Sequence, residues 1–202
     1  MTIKELNQEL GNIDLYVLDA ILKDYVPKEG KLLDAGCGEG RNLVYLLKNG
    51  YQCYGADTNA DALRMLRFQL NSLAPGYPAE RFAQADLKSL PYEDSTFHTV
   101  LCIAVLHFSE NEEDFRRMFG ELVRVLQPGG KMLIRMTDST DMKDAVAVGN
   151  GKYQLPDGSV RFLLTARLKN EMMAEHSLRY AEPYKTVVVE GMRTMNTWLV
   201  TK

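Results

Sequence analysis

The chain has 202 residues, with 24 Lys and Arg against 27 Asp and Glu for a formal charge of −3. Its length suits one globular domain better than two, and 46% hydrophobic with 25% charged residues excludes a disordered, collagenous or coiled-coil chain. The slight acidity argues against bulk electrostatic binding of nucleic acid or anionic membrane and favours a small-molecule partner.

The three cysteines, Cys37, Cys53 and Cys102, are odd in number and lie in or beside apolar runs. They read as small buried hydrophobes of a reducing compartment rather than as a disulfide framework. The N-terminus lacks a basic start followed by a long apolar stretch, and no run reaches the ~18 apolar residues that a membrane span needs. A cytoplasmic protein, neither exported nor membrane-spanning, is expected.

In chain order, Leu15, Leu18, Leu22 and Tyr25 recur at helical spacing until Pro27 and Gly30 stop them. This predicts one amphipathic lead-in helix. Lys31 to Ala35 then reads as a strand, Asn42 to Leu47 as a helix, Tyr51 to Ala56 as a strand and Ala60 to Leu70 as a helix. Strands near Phe82 to Ala85 and at Thr99 to Ala104 follow, then a helix carrying Phe115, Phe119, Leu122 and Leu126. Pro128-Gly129-Gly130 is expected to turn the chain into a strand over Lys131 to Met136. Strands alternating with helices of this length predict an α/β fold, a parallel sheet covered on both faces. At the end, Thr186 to Val189 and Thr194 to Val200 are separated by four residues, too few for a helical crossover, and must pair as an antiparallel hairpin. Thr137 to Ser159 shows turn signals without clear periodicity and is the expected lid or substrate wall. One domain over 1–202 results: a helical lead-in (1–29), a ligand-binding core (30–136), an insertion or lid (137–165) and a last helix with the hairpin (166–202).

The chemistry concentrates in Asp34-Ala-Gly36-Cys37-Gly38-Glu-Gly40, which follows the first strand and opens the first helix. Glycines there let a ligand approach bare backbone at the carboxyl edge of a parallel sheet. Asp57, closing the second strand in YGADTN, can accept both hydroxyl hydrogens of a ribose and would repel a 2′-phosphate. The competing reading is a tight βα turn with Asp57 capping the next helix. Against the dinucleotide pattern G-x-G-x-x-G, the third glycine falls at 40, and Arg41 occupies the following position. Arg41 can face a carboxylate, either the amino-acid end of a cofactor or an acidic substrate.

With LLDAGCGEG, YGADTN, QADLKSLPYEDSTFHTVLCIAVLHF and LQPGGKMLI in this order over about residues 30 to 136, the chain resembles the class I S-adenosylmethionine-dependent methyltransferases. That resemblance implies a Rossmann-like seven-stranded, mostly parallel sheet with an antiparallel C-terminal strand, S-adenosylmethionine as cofactor and S-adenosylhomocysteine as product. By position, Asp34 and the Gly36, Cys37, Gly38 and Gly40 loop with Arg41 would hold the methionine moiety, and Asp57 with Thr58 the ribose. Asp86 and Leu87 would face the adenine, and Ile103 with Ala104 would form the wall beneath the sulfonium. The stretch GCGEGRNLVYLLKNGYQCYGAD is similar to bacterial small-molecule enzymes of the tellurite-resistance methyltransferase type, although the C-terminal half does not clearly carry that group's residues.

Methyl transfer from a sulfonium is an in-line displacement, in which alignment is worth up to ~7–11 kcal/mol and a general base only ~3–5 kcal/mol. His107, just after the fourth strand, is the candidate base or acceptor contact. Tyr16 and Arg161 are candidate substrate-binding residues. No spaced Cys/His set accompanies the motifs, so no metal is expected. The absence of an Asn/Asp-Pro-Pro-aromatic run and of a Pro-Cys nucleophile disfavours nucleic-acid bases as acceptors. The expected function is methyl transfer to a small molecule. The alternatives are a catalytically silent S-adenosylmethionine-binding regulator and a nicotinamide-dependent oxidoreductase. The oligomeric state has no signature in the sequence.

Overall fold

A computed structural model describes residues 1–202. The chain opens with two helices, α1 (Ile3–Leu10) and α2 (Leu15–Leu22). The sequence reading identified only α2, although Ile3, Leu6 and Leu10 of α1 also recur at helical spacing; none of the α1 residues is buried. A second local signal is a capping box: Thr2 accepts from the Glu5 N–H at 3.2 Å, and the Glu5 carboxylate accepts from the Thr2 N–H at 2.6 Å. α2 begins at the N-cap Asp14, whose Oδ1 accepts from the Tyr16 N–H at 2.9 Å.

Five strands and three helices follow: β1 (Lys31–Ala35), α3 (Val44–Lys48), β2 (Gln52–Asp57), α4 (Ala60–Leu73), β3 (Phe82–Gln84), β4 (Phe97–Ile103), α5 (Glu112–Val125) and β5 (Leu126–Arg135). β6 (Val146–Gly149), β7 (Lys152–Gln154) and β8 (Val160–Phe162) come next, then α6 (Ala166–Glu175), β9 (Arg179–Tyr180), β10 (Lys185–Val189) and β11 (Arg193–Thr201). The main sheet runs in the order β3-β2-β1-β4-β5-β11-β10, with the two-residue β9 paired to β11. β1 to β5 are mutually parallel, whereas β11 is antiparallel to both β5 and β10. This is the mostly parallel Rossmann-like sheet with the C-terminal reversal expected from the short Glu190–Arg193 link.

One apolar core lies on each face of the sheet. Leu32, Cys53, Leu101 and Leu133 point toward α2, α3 and α4, while Leu33, Val100, Cys102 and Met132 point toward α5 and α6. Neighbouring strand residues thus serve opposite cores, as the period of two requires. α5 contributes Phe115, Phe119 and Leu122, and Phe119 stacks on the fully buried Trp198 of β11 at 5.2 Å.

One expectation is corrected and one segment gains detail. Pro128-Gly129-Gly130 is not a turn before a strand but an irregularity within β5, where the register with β4 jumps from Phe97↔Leu126 to Thr99↔Lys131. Proline and glycine are tolerated there because the extra residues leave the ladder. The stretch 137–159, which shows no periodicity in the sequence, contains β6 and β7, and these pair with β8 in a separate antiparallel sheet. Their strands escaped notice because they are three or four residues long and β6 is wholly exposed, so no alternation could develop. Phe162 fastens this small sheet to the core by stacking on Phe115 at 5.4 Å, while the Thr137 hydroxyl donates to the Phe162 carbonyl at 2.9 Å.

Candidate active site

β1 pairs with β2 on one side and with β4 on the other, so the chain leaves β1 and β4 toward opposite halves of the sheet. Crevices open beyond the carboxyl ends of strands at such a switch point. Here the crevice is bounded by the loop after β1 and by Ala104 after β4. The Gly36 and Cys37 N–H groups both donate to the Ala56 carbonyl, at 2.7 and 3.2 Å, which folds the loop back over β2. Gly36 and Gly38 have φ of +83° and +51°. A Cβ at Gly36 would collide with Val105, whereas one at Gly38 would meet nothing within 4 Å. Gly36 is therefore needed for packing as well as conformation, and Gly38 presents bare main chain to open space.

Asp57 ties this loop down. Its Oδ2 accepts from the Gly38 N–H and its Oδ1 from the Asn59 N–H, each at 2.8 Å. Asn59, not Asp57, is the N-cap of α4, so the simple capping alternative for Asp57 does not describe the structure. Each carboxylate oxygen retains a lone pair after these bonds.

Asp34 is 1% exposed, and neither of its carboxylate oxygens has a hydrogen-bond partner. Burial pushes its pKa up to about 7, with Arg41 pulling it down and Asp57 adding to the rise. A buried, unpaired carboxylate beside a glycine loop is an incomplete arrangement that a cationic group would complete. Ala104, the residue beneath the crevice, has φ +61° and donates its N–H to the Arg135 carbonyl at 2.7 Å. A left-handed alanine costs about 1 kcal/mol or more and is held by its surroundings.

The crevice divides into connected compartments. A cavity of about 360 Å³ brings together Gly36, Asp57, Thr58, Asp86, Leu87, Ile103 and Ala104, all singled out from the sequence. The Asp86 carboxylate accepts from the Lys88 N–H at 2.8 Å, and Leu87 is buried. Val105, Phe108 and Met118 also line this cavity and were missed. Phe108 carried a signal, since it adjoins His107 in the same motif; Met118 looked like any core residue of α5. Cys37, Gly38 and Arg41 border a polar mouth on the other side of Ile103, whereas Gly40 packs toward Leu66 rather than facing it.

A second cavity, of about 390 Å³, shares Ile103 and Ala104 with the first and contains Arg41, His107 and Arg161. Arg135, Asp157 and Arg193 line it as well. These three were not legible: they come from three distant segments, and no local pattern marks them. His107 is buried, and its Nδ1 has no hydrogen-bond partner. Burial, with help from Arg161 and Arg193, pulls its pKa down to about 4. Tyr16 does not line the cavity. Its ring instead supports the Arg135 guanidinium at 4.6 Å, and Arg135 is ion-paired with Asp14. Tyr16 therefore touches the cavity only through Arg135, which lines it.

The fold and crevice define a nucleoside-binding α/β protein, and comparison with known proteins gives it a family. The methyltransferase domain family matches residues 33–134, about half of the chain. The chain belongs to the class I S-adenosylmethionine-dependent methyltransferases, and S-adenosylmethionine is its cofactor. This displaces the nicotinamide alternative. A phthiotriol/phenolphthiotriol dimycocerosates methyltransferase of Mycobacterium ulcerans is 27% identical over 152 residues, covering 74% of this chain and 51% of that protein. Norajmaline N-methyltransferase of Rauvolfia serpentina is 31% identical over 118 residues, covering 56% of this chain and 38% of that one. The chain thus spans about half the length, or less, of these relatives. Among solved structures, an S-adenosylmethionine-dependent methyltransferase of Methanosarcina mazei aligns with TM-score 0.73 at 19% identity, covering 90% of this chain and 96% of that chain. The [4+2]-cyclase SpnF aligns with TM-score 0.69 at 17% identity, covering 99% and 92%.

Proposed function

We propose that this chain transfers the S-adenosylmethionine methyl group to a small-molecule acceptor by in-line displacement. The observation that carries the reading is the unpartnered carboxylate of Asp34 between the bare Gly36–Gly38 backbone and a nucleoside-sized cavity, with a second cavity meeting the first at Ile103 and Ala104. Asp34 would take the methionine ammonium, Arg41 its carboxylate, and the main chain of Gly36 to Gly40, including Cys37, the rest of that moiety. Asp57 would hold the ribose hydroxyls beside Thr58, and Asp86 with the Leu87 N–H would read the adenine edge. When bound, the cofactor supplies a methyl group on a positively charged sulfur.

The protein's own contribution is alignment. Ile103 and Ala104 separate the two cavities, so an acceptor in the second would meet the methyl from the side opposite the adenosine. A neutral imidazole with a pKa near 4 accepts a hydrogen bond but removes protons poorly at neutral pH. His107 would therefore orient an acceptor N–H or O–H rather than abstract its proton. Leu155, just after β7, and Arg161 of β8 form one wall of the second cavity. The named activities of the curated relatives, on phthiotriol lipids and on norajmaline, support an acceptor outside nucleic acid. Three free, buried cysteines suit a reducing, cytoplasmic location.

A [4+2]-cyclase among the structural neighbours shows that the fold alone does not dictate transfer. That supports the second reading, a cofactor-binding protein without methyltransferase activity. Incubation with S-adenosylmethionine and a metabolite panel distinguishes them. Formation of S-adenosylhomocysteine that depends on one class of acceptor is expected; tight cofactor binding with no product across the panel would favour the second reading.

A further inference from the structure

The second cavity is rich in positive charge. Its lining has four guanidinium groups, from Arg41, Arg135, Arg161 and Arg193, against two carboxylates, from Asp14 and Asp157. Two of these charges are already balanced or assigned. Arg135 is ion-paired with the buried Asp14 and braced by Tyr16, and Arg41 reaches the mouth where the cofactor's amino-acid end is placed above. Arg193 approaches Asp157 only at the limit of an ion pair, 3.9 Å. That carboxylate is also engaged by Ser159, whose N–H and hydroxyl donate to Oδ1 at 2.9 and 2.6 Å. Arg161 has no carboxylate within ion-pair distance. Its guanidinium lies over the Phe108 ring at 4.7 Å and donates to the Val160 carbonyl at 2.8 Å, leaving most of its donors unused. One positive charge therefore remains without a partner, in a cavity that also buries an unpartnered histidine nitrogen.

Resting on the methyltransferase reading above, we infer that the acceptor is a small carboxylic acid, its carboxylate held by Arg161 and Arg193. A planar guanidinium fork matches a carboxylate, and one unmatched positive charge matches a monoanion. The carboxylate is a handle and not the atom that is methylated. Attack by an anion on a sulfonium cancels both charges, so a guanidinium clamp on the attacking oxygen would stabilise the ground state more than the transition state. The clamp instead places a neutral nitrogen or oxygen of the same molecule toward Ala104; its lone pair forms the bond to the methyl carbon as the carbon–sulfur bond breaks, S-adenosylhomocysteine leaves as a neutral thioether, and the methylated acceptor, now cationic, releases its proton to water. A neutral His107 suits this arrangement, since a third cation at that point would leave the acceptor's N–H or O–H without an acceptor.

The test titrates the protein with S-adenosylhomocysteine by calorimetry, then screens the resulting complex by ligand-observed NMR. The library holds small carboxylic acids, each paired with its neutral carboxamide, plus phosphate monoesters and amines. Carboxylic acids are expected to bind, with each hit at least about tenfold tighter than its carboxamide. Arg161→Gln and Arg193→Gln should each lower that ratio severalfold while S-adenosylhomocysteine affinity stays at the wild-type value. Hits confined to phosphate monoesters, amines or neutral compounds would overturn the assignment, as would carboxylate hits indifferent to both arginines. Failure of the wild-type protein to bind S-adenosylhomocysteine is a different result; it would remove the methyltransferase reading itself and this inference with it.

Discussion

Replacing Asp34 by Asn isolates the energetic cost of a buried carboxylate without a hydrogen-bond partner. The folded protein holds the Asp34 proton up to about pH 7, against 3.8 for an unburied aspartate. Below about pH 4 both folded and unfolded chains are protonated, and the side chain costs nothing electrostatic. As pH rises through this window the unfolded chain releases its proton first, so stability falls by ~1.4 kcal/mol per unit and levels off above about pH 7. The accumulated cost at neutral pH is roughly 4 kcal/mol, an upper figure because a buried site relaxes. Asparagine fills the same space without the charge. Urea denaturation of both proteins without cofactor should therefore give nearly equal stabilities near pH 4 and a growing advantage for the variant, reaching a few kcal/mol near pH 7. The difference between the two proteins is the informative quantity. His107, held neutral, contributes the opposite slope: its stability is present above its unfolded pKa of about 6.5 and lost as pH falls toward 4. That slope is common to both proteins and cancels. Curves that run parallel across the whole pH range would refute the account of Asp34. Calorimetry on the same variant should show weakened binding of S-adenosylmethionine, because the charge that destabilises the free protein is the one a bound ammonium would use.

Other substitutions probe the remaining parts of the site. Gly38→Val meets nothing within 4 Å but forces a branched residue into left-handed backbone at φ +51°, so it should cost about 1–3 kcal/mol in urea denaturation and lose measurable cofactor binding by calorimetry because the branched chain fills the ligand's space. Asp57→Ala releases the Gly38 and Asn59 N–H groups and should weaken cofactor binding by ~1–3 kcal/mol; an unchanged affinity would exclude Asp57 from the ribose contact. Phe162→Ala removes the stacked partner of Phe115 and should cost ~3–5 kcal/mol in urea denaturation, which a small sheet merely resting on the core would not show. A pH profile of turnover should lack an inflection near 6.5 from His107 and show it near 4 instead; retention of the 6.5 inflection in wild type and its loss in His107→Gln would contradict the buried, neutral imidazole.

The sequence determined those features whose cause is local. Apolar periodicities of two and 3.6 separated strands from helices, and Gly36, Gly38 and Asp57 marked a stretch of chain that borders the crevice. The short link after Val189, read as four residues in the sequence and three in the structure, forced the last two strands into antiparallel pairing. Local rules also had a reach beyond which they failed: β6, β7 and β8 are too short to show alternation, and the Pro128-Gly129-Gly130 irregularity reads as a turn unless its pairing with β4 is known. Arg41, His107 and Arg161 of the second cavity were named from the sequence, but only tertiary structure brought them together and added Arg135 and Arg193. Arg135, Arg161 and Arg193 come from β5, the small sheet and the terminal hairpin, and a guanidinium's charge acts through space rather than along the chain. Whether each was a solvated surface residue or part of a binding wall depended on how β11 paired with β5 and on Phe162 docking the small sheet against α5. Asp34 shows the same division in one residue. Its position at the end of a strand was legible, but its lack of any partner followed only from how the surrounding chain excludes water.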